Sequence, residues 1–233
     1  MQTANWRLIL SGYHDAYTNM ALDEALLEGY LRCAQIPTLR IYGWKPSAIS
    51  FGYFQDPQSN VRIDACVSRG ISLVRRLTGG GALIHDGDLS YSVICSSADL
   101  GCETSVIESF QKTCSFLKYA YAAFGLDAHF ACEDNQAWRR RRSSSVTQPD
   151  FCLAAHEKYD IVVGGRKLGG NAQKRRKHAL LQHGSIPLRD ISAQAAALVT
   201  QGGSSFDAGF ASLSDLAGRD IRFEALQQVL IDA

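Results

Sequence analysis

The sequence contains no Cys-x-x-Cys pair, no nucleotide-type glycine loop, no long apolar run and almost no net charge. Seven cysteines stand at 33, 66, 95, 102, 114, 132 and 152. Their odd number and spacing suit neither a disulfide framework nor a zinc site, so they read as reduced thiols, mostly in the core, with one available as a nucleophile. No metal is expected. No apolar run nears the ~18 residues of a membrane-spanning helix. The N-terminus lacks the basic stretch and the small-residue cleavage site of a secretory signal. A cytoplasmic protein with no membrane partner is therefore expected. The net charge of +1 gives no global reason to expect nucleic acid as a partner. The pattern G-x-x-x-x-G-K-[ST] is absent, and no internal repeat is found.

What is present is an ordinary globular composition, 46% hydrophobic and 20% charged over 233 residues, enough for a real core. Residues 18–34, TNMALDEALLEGYLRCA, predict a helix capped by Thr18 or Asn19, with Ala21, Leu22, Ala25, Leu26 and Tyr30 at helical spacing. TLRIYGW and AISFGYF predict two strands around a turn at Lys45-Pro46-Ser47. Residues 71–77 and 89–95 predict two more. The longest helix is expected over 105–125, with Ile107, Phe110, Cys114, Leu117, Tyr121 and Phe124 as its apolar stripe and Gly125 as its stop. Cys114 on that stripe reads as core. YDIVVGGRKLGG predicts a hairpin turning at Gly164-Gly165, HALLQHGSIPL a further strand, and the tail helices. Strands and helices mix without a strict βαβ rhythm, which favours one α/β domain with a mixed sheet.

Four stretches carry the chemistry-bearing residue types: RRLTGGGALIHD (75–86), DFC (150–152), GGRKLGGNAQ (164–173) and LLQHGSI (180–186). Three adjacent glycines lose more backbone freedom on folding than any other residues, so their presence between two strands implies a close approach to the backbone. Arg75 and Arg76 are neighbours on a strand and face opposite ways, so only one of them serves a shared site.

In this order and spacing the four stretches resemble the catalytic domain shared by lipoate-protein ligases, biotin-protein ligases and the octanoyltransferases of lipoate biosynthesis. NMALDEAL (19–26), LRIYGWKPSAISFGYFQ (39–55) and SLSDLAGRDI (212–221) extend the likeness over nearly the whole chain. The nearest likeness is to the cysteine-dependent octanoyltransferases, because Cys152 precedes Lys167 by 15 residues and DLSYSVI follows the histidine-aspartate pair. The unbroken Gly79-Gly80-Gly81 is at least as typical of the ligases. The resemblance implies a single catalytic domain over 1–233 with no accessory C-terminal domain. Its fold would be a mixed, mainly antiparallel β-sheet flanked by helices. The implied reaction moves an octanoyl group from octanoyl acyl carrier protein, through a thioester on Cys152, to a lysine of a lipoyl domain or of the glycine-cleavage H protein. No cofactor is needed. The rival is ATP-dependent lipoate ligation through an adenylate, which would require ATP and Mg.

The roles implied by the resemblance are as follows. Cys152 is the nucleophile, and Lys167 is the cation that favours its thiolate and stabilises the oxyanion. Arg76, Gly79, Gly80, Gly81, His85, Gly169, Gly170, Asn171, Ala172 and His183 bind substrate, with the three glycines pressed against the acyl chain. His85 could orient the donor, carry a proton, or be structural through Asp86 or a backbone carbonyl. Arg139 to Arg142 offer a basic patch to acidic partners.

Overall fold

A computed structural model describes residues 5–32, 36–102, 105–133, 158–200 and 211–233. Strands β1 (Arg7–His14), β2 (Thr38–Trp44), β6 (Asp88–Ser96), β10 (Gly170–Arg176) and β11 (Ala179–Pro187) form a five-stranded sheet in the order β1-β2-β6-β11-β10. Only the β1–β2 pairing in it is parallel. Strands β3 (Ala48–Phe51), β4 (Ser72–Arg75) and β5 (Leu83–His85) make a second sheet, and β7 (Ala128–Phe130), β8 (Ile161–Val163) and β9 (Arg166–Lys167) a third. The expected class, mixed and mainly antiparallel with flanking helices, holds, but the strands divide among three sheets rather than one. The short β5 was not anticipated, and AISFGYF stops pairing at Phe51.

The central strand β6 shows why the layers form. Tyr91, Val93 and Cys95 alternate onto one face, where they meet Cys114, Leu117 and Tyr121 of the helix Val106–Ala123 and Leu226 and Leu230 of the helix Phe223–Asp232. Ser105 caps the first of these helices through the Glu108 amide; of the predicted stripe Cys114, Leu117 and Tyr121 are buried, Phe110 and Phe124 are half-buried, and Ile107 at the start is 50% exposed. The opposite face carries Ser92 and Ile94 and is covered by the helix α1 (Ala16–Arg32), whose Leu27 and Tyr30 pack on Ile94.

Helix α1 corrects two sequence expectations. Asp15, not Thr18 or Asn19, accepts the first amide hydrogens, from Tyr17 and Thr18. The buried face is Ala16, Asn19, Asp23, Leu27 and Tyr30, whereas Ala21 and Ala25 are exposed. Two polar residues occupy that face because Arg40 rises from β2 beneath them. Its guanidinium reaches Asp23 at 2.7 Å and the Asn19 side-chain oxygen at 2.6 Å, with both charged partners buried. Burying this pair without those bonds would cost several kcal/mol per ion.

The hairpin over β8 and β9 turns at Gly164 and Gly165, as predicted; their φ values of +56° and +73° suit the two-residue turn that only glycine-like residues enter easily.

Candidate active site

Register places the site. In antiparallel pairs, residues directly opposite share a face, so Arg40, Ser92, His183 and Ala172 form one row across β2, β6, β11 and β10. The next row runs Tyr42, Ser90, Ser185 and Gly170. The second row, with His183 and Ala172 of the first, is the floor of a narrow pocket. Its other side comes from the second sheet and the segments beside it, with Ser50, Leu83, His85 and Arg76, and its remaining wall from Met20, Trp44 and Asn171. The surface that faces the pocket is almost wholly apolar, although half its residues are polar.

The reason is that most of the polar atoms are spent on one another, Asp88 Oδ1 being buried without a hydrogen bond. His85 Nδ1 lies 2.8 Å from Asp88 Oδ2, its Nε2 lies 2.8 Å from Ser50 Oγ, and its ring stacks on Trp44 at 3.8 Å between centroids. Ser90 and Ser185 also donate to Asp88 Oδ2. His183 repeats the arrangement: Nδ1 is 3.4 Å from Asp23 Oδ2, and Nε2 is 2.6 Å from Thr78 Oγ1. Two carboxylate–imidazole–hydroxyl chains therefore meet one pocket. Arg76 joins them, with Nη1 3.3 Å from Ser50 Oγ and Nε 3.2 Å from Thr78 Oγ1. Burial pushes the His183 imidazole below its ordinary value, against the opposing pull of Asp23 and with the help of Arg76 and His85. Burial also works against the Asp23 carboxylate, yet His183, Arg40 and Ser92 together hold it below the usual carboxylate range.

Of the residues expected at the site, Arg76, His85, Gly170, Asn171, Ala172 and His183 line this pocket. Asn171 is fixed from behind by the Tyr91 hydroxyl at 2.8 Å. His85 is bonded to Asp88 and not to Asp86, which instead accepts from Ser47 and Arg189. Gly169 sits outside the pocket, packed on the Ser185 carbonyl.

The glycine run is placed differently from expectation. Gly79, Gly80 and Gly81 are not among the pocket's lining residues, and Gly80 is exposed. What presses on them is the protein itself. A Cβ on Gly52 would lie 1.9 Å from the Gly80 carbonyl oxygen, and Arg76 Nη2 donates to the carbonyls of Gly79 at 2.8 Å and Gly81 at 2.6 Å. Gly80 itself has φ +91°. Arg75 points the other way, its Nη1 donating to the carbonyls of Gly52, Tyr53 and Gln55. Of the arginine pair, only Arg76 serves the pocket.

Lys167 is also apart from the pocket lining. It is 1% exposed, and its ammonium lies 2.6 Å from Asp160 Oδ2 in a buried ion pair on the third sheet. Cys152 and Arg139 to Arg142 lie outside the described residues. Cys114 does not offer a substitute nucleophile: burial pushes its thiol up to about 12. Among the described residues no group of three or more metal-ligating side chains occurs, and no helix is long and apolar enough to cross a membrane.

Sequence reasoning overlooked Asp23, Thr78, Ser50 and Asp88. Only Asp23 carried a local signal, an acid at i+4 from Asn19 and so on the same face of the helix.

Residues 15–233 match the family described as the lipoyl protein ligase A/B catalytic domain. The chain is 38% identical over 241 residues to the octanoyltransferase LipM of Kyrpidia tusciae, covering 100% of this chain and 86% of that one. It is 40% identical over 193 residues to the octanoyltransferase LipM of Staphylococcus aureus, covering 81% of this chain and 67% of that one. A solved lipoate-protein ligase A bound with ATP superposes with a TM-score of 0.77 at 27% identity, over 98% of this chain and 83% of the other. The lipoate protein ligase of Thermoplasma acidophilum, from a study that also treats its E2 lipoyl domain, gives 0.73 at 25% identity, over 98% and 81%. The family match over 15–233 and the relatives at 38% and 40% identity agree, and the chain belongs to the lipoyl protein ligase A/B catalytic-domain family.

Proposed function

We infer that this chain is an octanoyltransferase of lipoate biosynthesis, an acyltransferase that places an octanoyl group on a lysine of a lipoyl-domain protein. The observation that carries this reading is the pair of relatives named octanoyltransferase LipM at 38% and 40% identity. The pocket supports it. A saturated acyl chain needs an apolar wall, and here the polar side chains around the cavity satisfy each other and leave Met20, Tyr42, Trp44, Leu83 and Ala172 to face it.

In this reading the Cys152 thiolate attacks the carbonyl of an octanoyl thioester carried by acyl carrier protein. A carbon–sulfur bond forms to Cys152, the carrier's carbon–sulfur bond breaks, and the carrier thiol leaves. The neutral amine of the acceptor lysine then attacks the enzyme thioester, giving the amide, returning the Cys152 thiolate and releasing one proton, which balances the proton that the departing carrier thiolate takes up from solvent. No ATP is consumed, because the thioester already supplies the activated acyl group. Lys167 enters as a fixed positive charge. Paired with Asp160 and desolvated, it acts on developing negative charge through the field of the dyad rather than as a mobile proton donor. Arg76 orders the pocket rim by holding the carbonyls of Gly79 and Gly81.

Intact-mass measurement after mixing the protein with octanoyl acyl carrier protein, without ATP, tests the reading. One added octanoyl mass, lost on addition of an apo lipoyl domain, is expected. Acylation of the lipoyl domain only from free octanoate or lipoate plus ATP would show a ligase instead.

A further inference from the structure

Phe54 is 89% exposed, more than any other large hydrophobic side chain among the described residues. Beside it Tyr53 is 48% exposed, the two rings meeting edge to face at 5.0 Å. Single exposed hydrophobic residues are common and mean little. This pair differs because the segment that presents it is clamped. Arg75 spends one nitrogen on three of its carbonyls, those of Gly52, Tyr53 and Gln55, at 3.0, 2.9 and 2.7 Å. Gln55 closes the turn onto the Gly52 amide through its side chain and onto the Gly52 carbonyl through its own amide. The Tyr53 amide donates to the Thr78 carbonyl at 2.8 Å, and the Thr78 hydroxyl is the partner of His183 in the pocket. An aromatic pair is thus held rigidly one residue away from the pocket wall.

The same patch is basic. Lys174 Nζ lies 5.0 Å from the Tyr53 ring centroid, on the edge strand β10 and two residues past Ala172 of the pocket lining. Arg176 and Lys177 follow at the exposed end of that strand, with Glu28 offsetting Arg176.

We propose that Tyr53, Phe54 and Lys174 form the docking surface for the acidic protein domain that bears the acceptor lysine. This rests on the transferase reading above. Rigid aromatic side chains next to a cation are the anchors that protein interfaces favour, since they bury much area at little entropic cost. Charge selects an acidic partner. Proximity selects the acceptor over the donor. A lysine side chain is short, so its domain must seat close to the pocket, whereas the long pantetheine arm of a carrier protein lets that body dock farther off.

The test begins with binding, which does not depend on turnover. An apo lipoyl domain is titrated into the unacylated protein and into Phe54→Ala and Lys174→Glu variants. Phe54 is exposed and Lys174 is half-buried with its ammonium over the Tyr53 ring, so melting temperatures within a few degrees of wild type are expected. The Kd should rise about tenfold or more in each variant, and added salt should weaken wild-type binding most and Lys174→Glu binding least. Half-reactions follow. The KM for the lipoyl domain should rise about tenfold, with kcat within about twofold, while acylation by octanoyl acyl carrier protein proceeds at the wild-type rate. Unchanged affinity for the lipoyl domain would overturn the proposal. So would slowed acylation by the carrier protein with acceptor binding intact, which would assign the patch to the donor. A wild-type protein that gains no octanoyl mass but still loses lipoyl-domain affinity in both variants would sink the transferase reading and leave the docking surface standing.

Discussion

Thr78 and His183 are 105 residues apart in the chain, yet Thr78 Oγ1 and His183 Nε2 lie 2.6 Å apart in a buried hydrogen bond. Through it the glycine-loop segment is tied to the central sheet. The imidazole that receives this hydroxyl is backed by Asp23 on its other nitrogen, and the hydroxyl itself is touched by Arg76. The pocket's rim and floor are therefore one hydrogen-bonded unit, and its titratable members should report on stability as well as on activity.

The folded protein binds a proton on His183 less readily than the unfolded chain does, because burial disfavours the cation. Its contribution is present in full above the unfolded value near ~6.5 and is lost as pH falls through the lower folded value. Stability should then decline on acidification from about pH 6.5, by at most about 1.4 kcal/mol per pH unit for one group. Asp23, also held low, adds a second loss that begins near the ordinary carboxylate value of about 3.9. Urea denaturation from pH 7.5 to 5.0 should show a slope for wild type that is much reduced in His183→Gln. Equal slopes would mean that His183 is not the group responsible.

Arg76→Met should cost about 3 kcal/mol, since it leaves the carbonyls of Ser50, Gly79 and Gly81 without their donor in a buried setting. Acyl transfer should fall by about a hundredfold as the rim loosens. Arg76→Lys should recover only part of the loss, because an ammonium cannot fork across three carbonyls and two hydroxyls. Denaturation midpoints measured beside transfer rates check both statements.

Lys167→Met takes away the buried ammonium that faces the Asp160 carboxylate at 2.6 Å and should destabilise the fold by about 3–5 kcal/mol. Lys167→Met with Asp160→Leu should recover most of that stability and none of the activity. A double mutant that transfers octanoyl at the wild-type rate would show that the ion pair has no part in the chemistry.

Gly80→Val should destabilise by about 1–3 kcal/mol through backbone strain at φ +91°. Gly79→Ala should be far milder, because a Cβ there would meet nothing within 4 Å. If the two variants melt together, strain at Gly80 is not what the glycine run relieves.

Cys152→Ala should abolish transfer from octanoyl carrier protein, while Cys114→Ala, whose thiol is buried and pushed up to about 12, should keep it. Cys132→Ala should stay active as well. Cys152→Ser should be trapped as a stable oxyester; intact mass reads all four variants. A Cys152→Ala protein that still acylates the acceptor would end the covalent scheme.

The sequence by itself determined the local elements and the family. The helix over 106–123, the Gly164-Gly165 hairpin and the run of β11 were legible because spacing, a stop residue and turn chemistry act within a few residues of each other. Resemblance singled out Arg76, His85, His183 and 170–172, and the structure gathers them around one pocket. The tertiary structure decided the partners. No periodicity shows that Arg40 lies under α1, which is why, of the stripe Ala21, Leu22, Ala25, Leu26 and Tyr30, only Tyr30 is buried while Asn19 and Asp23 go inside. Nor does any local pattern show that Gly52 and Arg76 pack on the glycine loop, or that Lys167 faces Asp160. These are choices between burying a charge alone and burying it with a counter-charge. They are settled only when strands distant in the chain bring the second group within hydrogen-bonding distance.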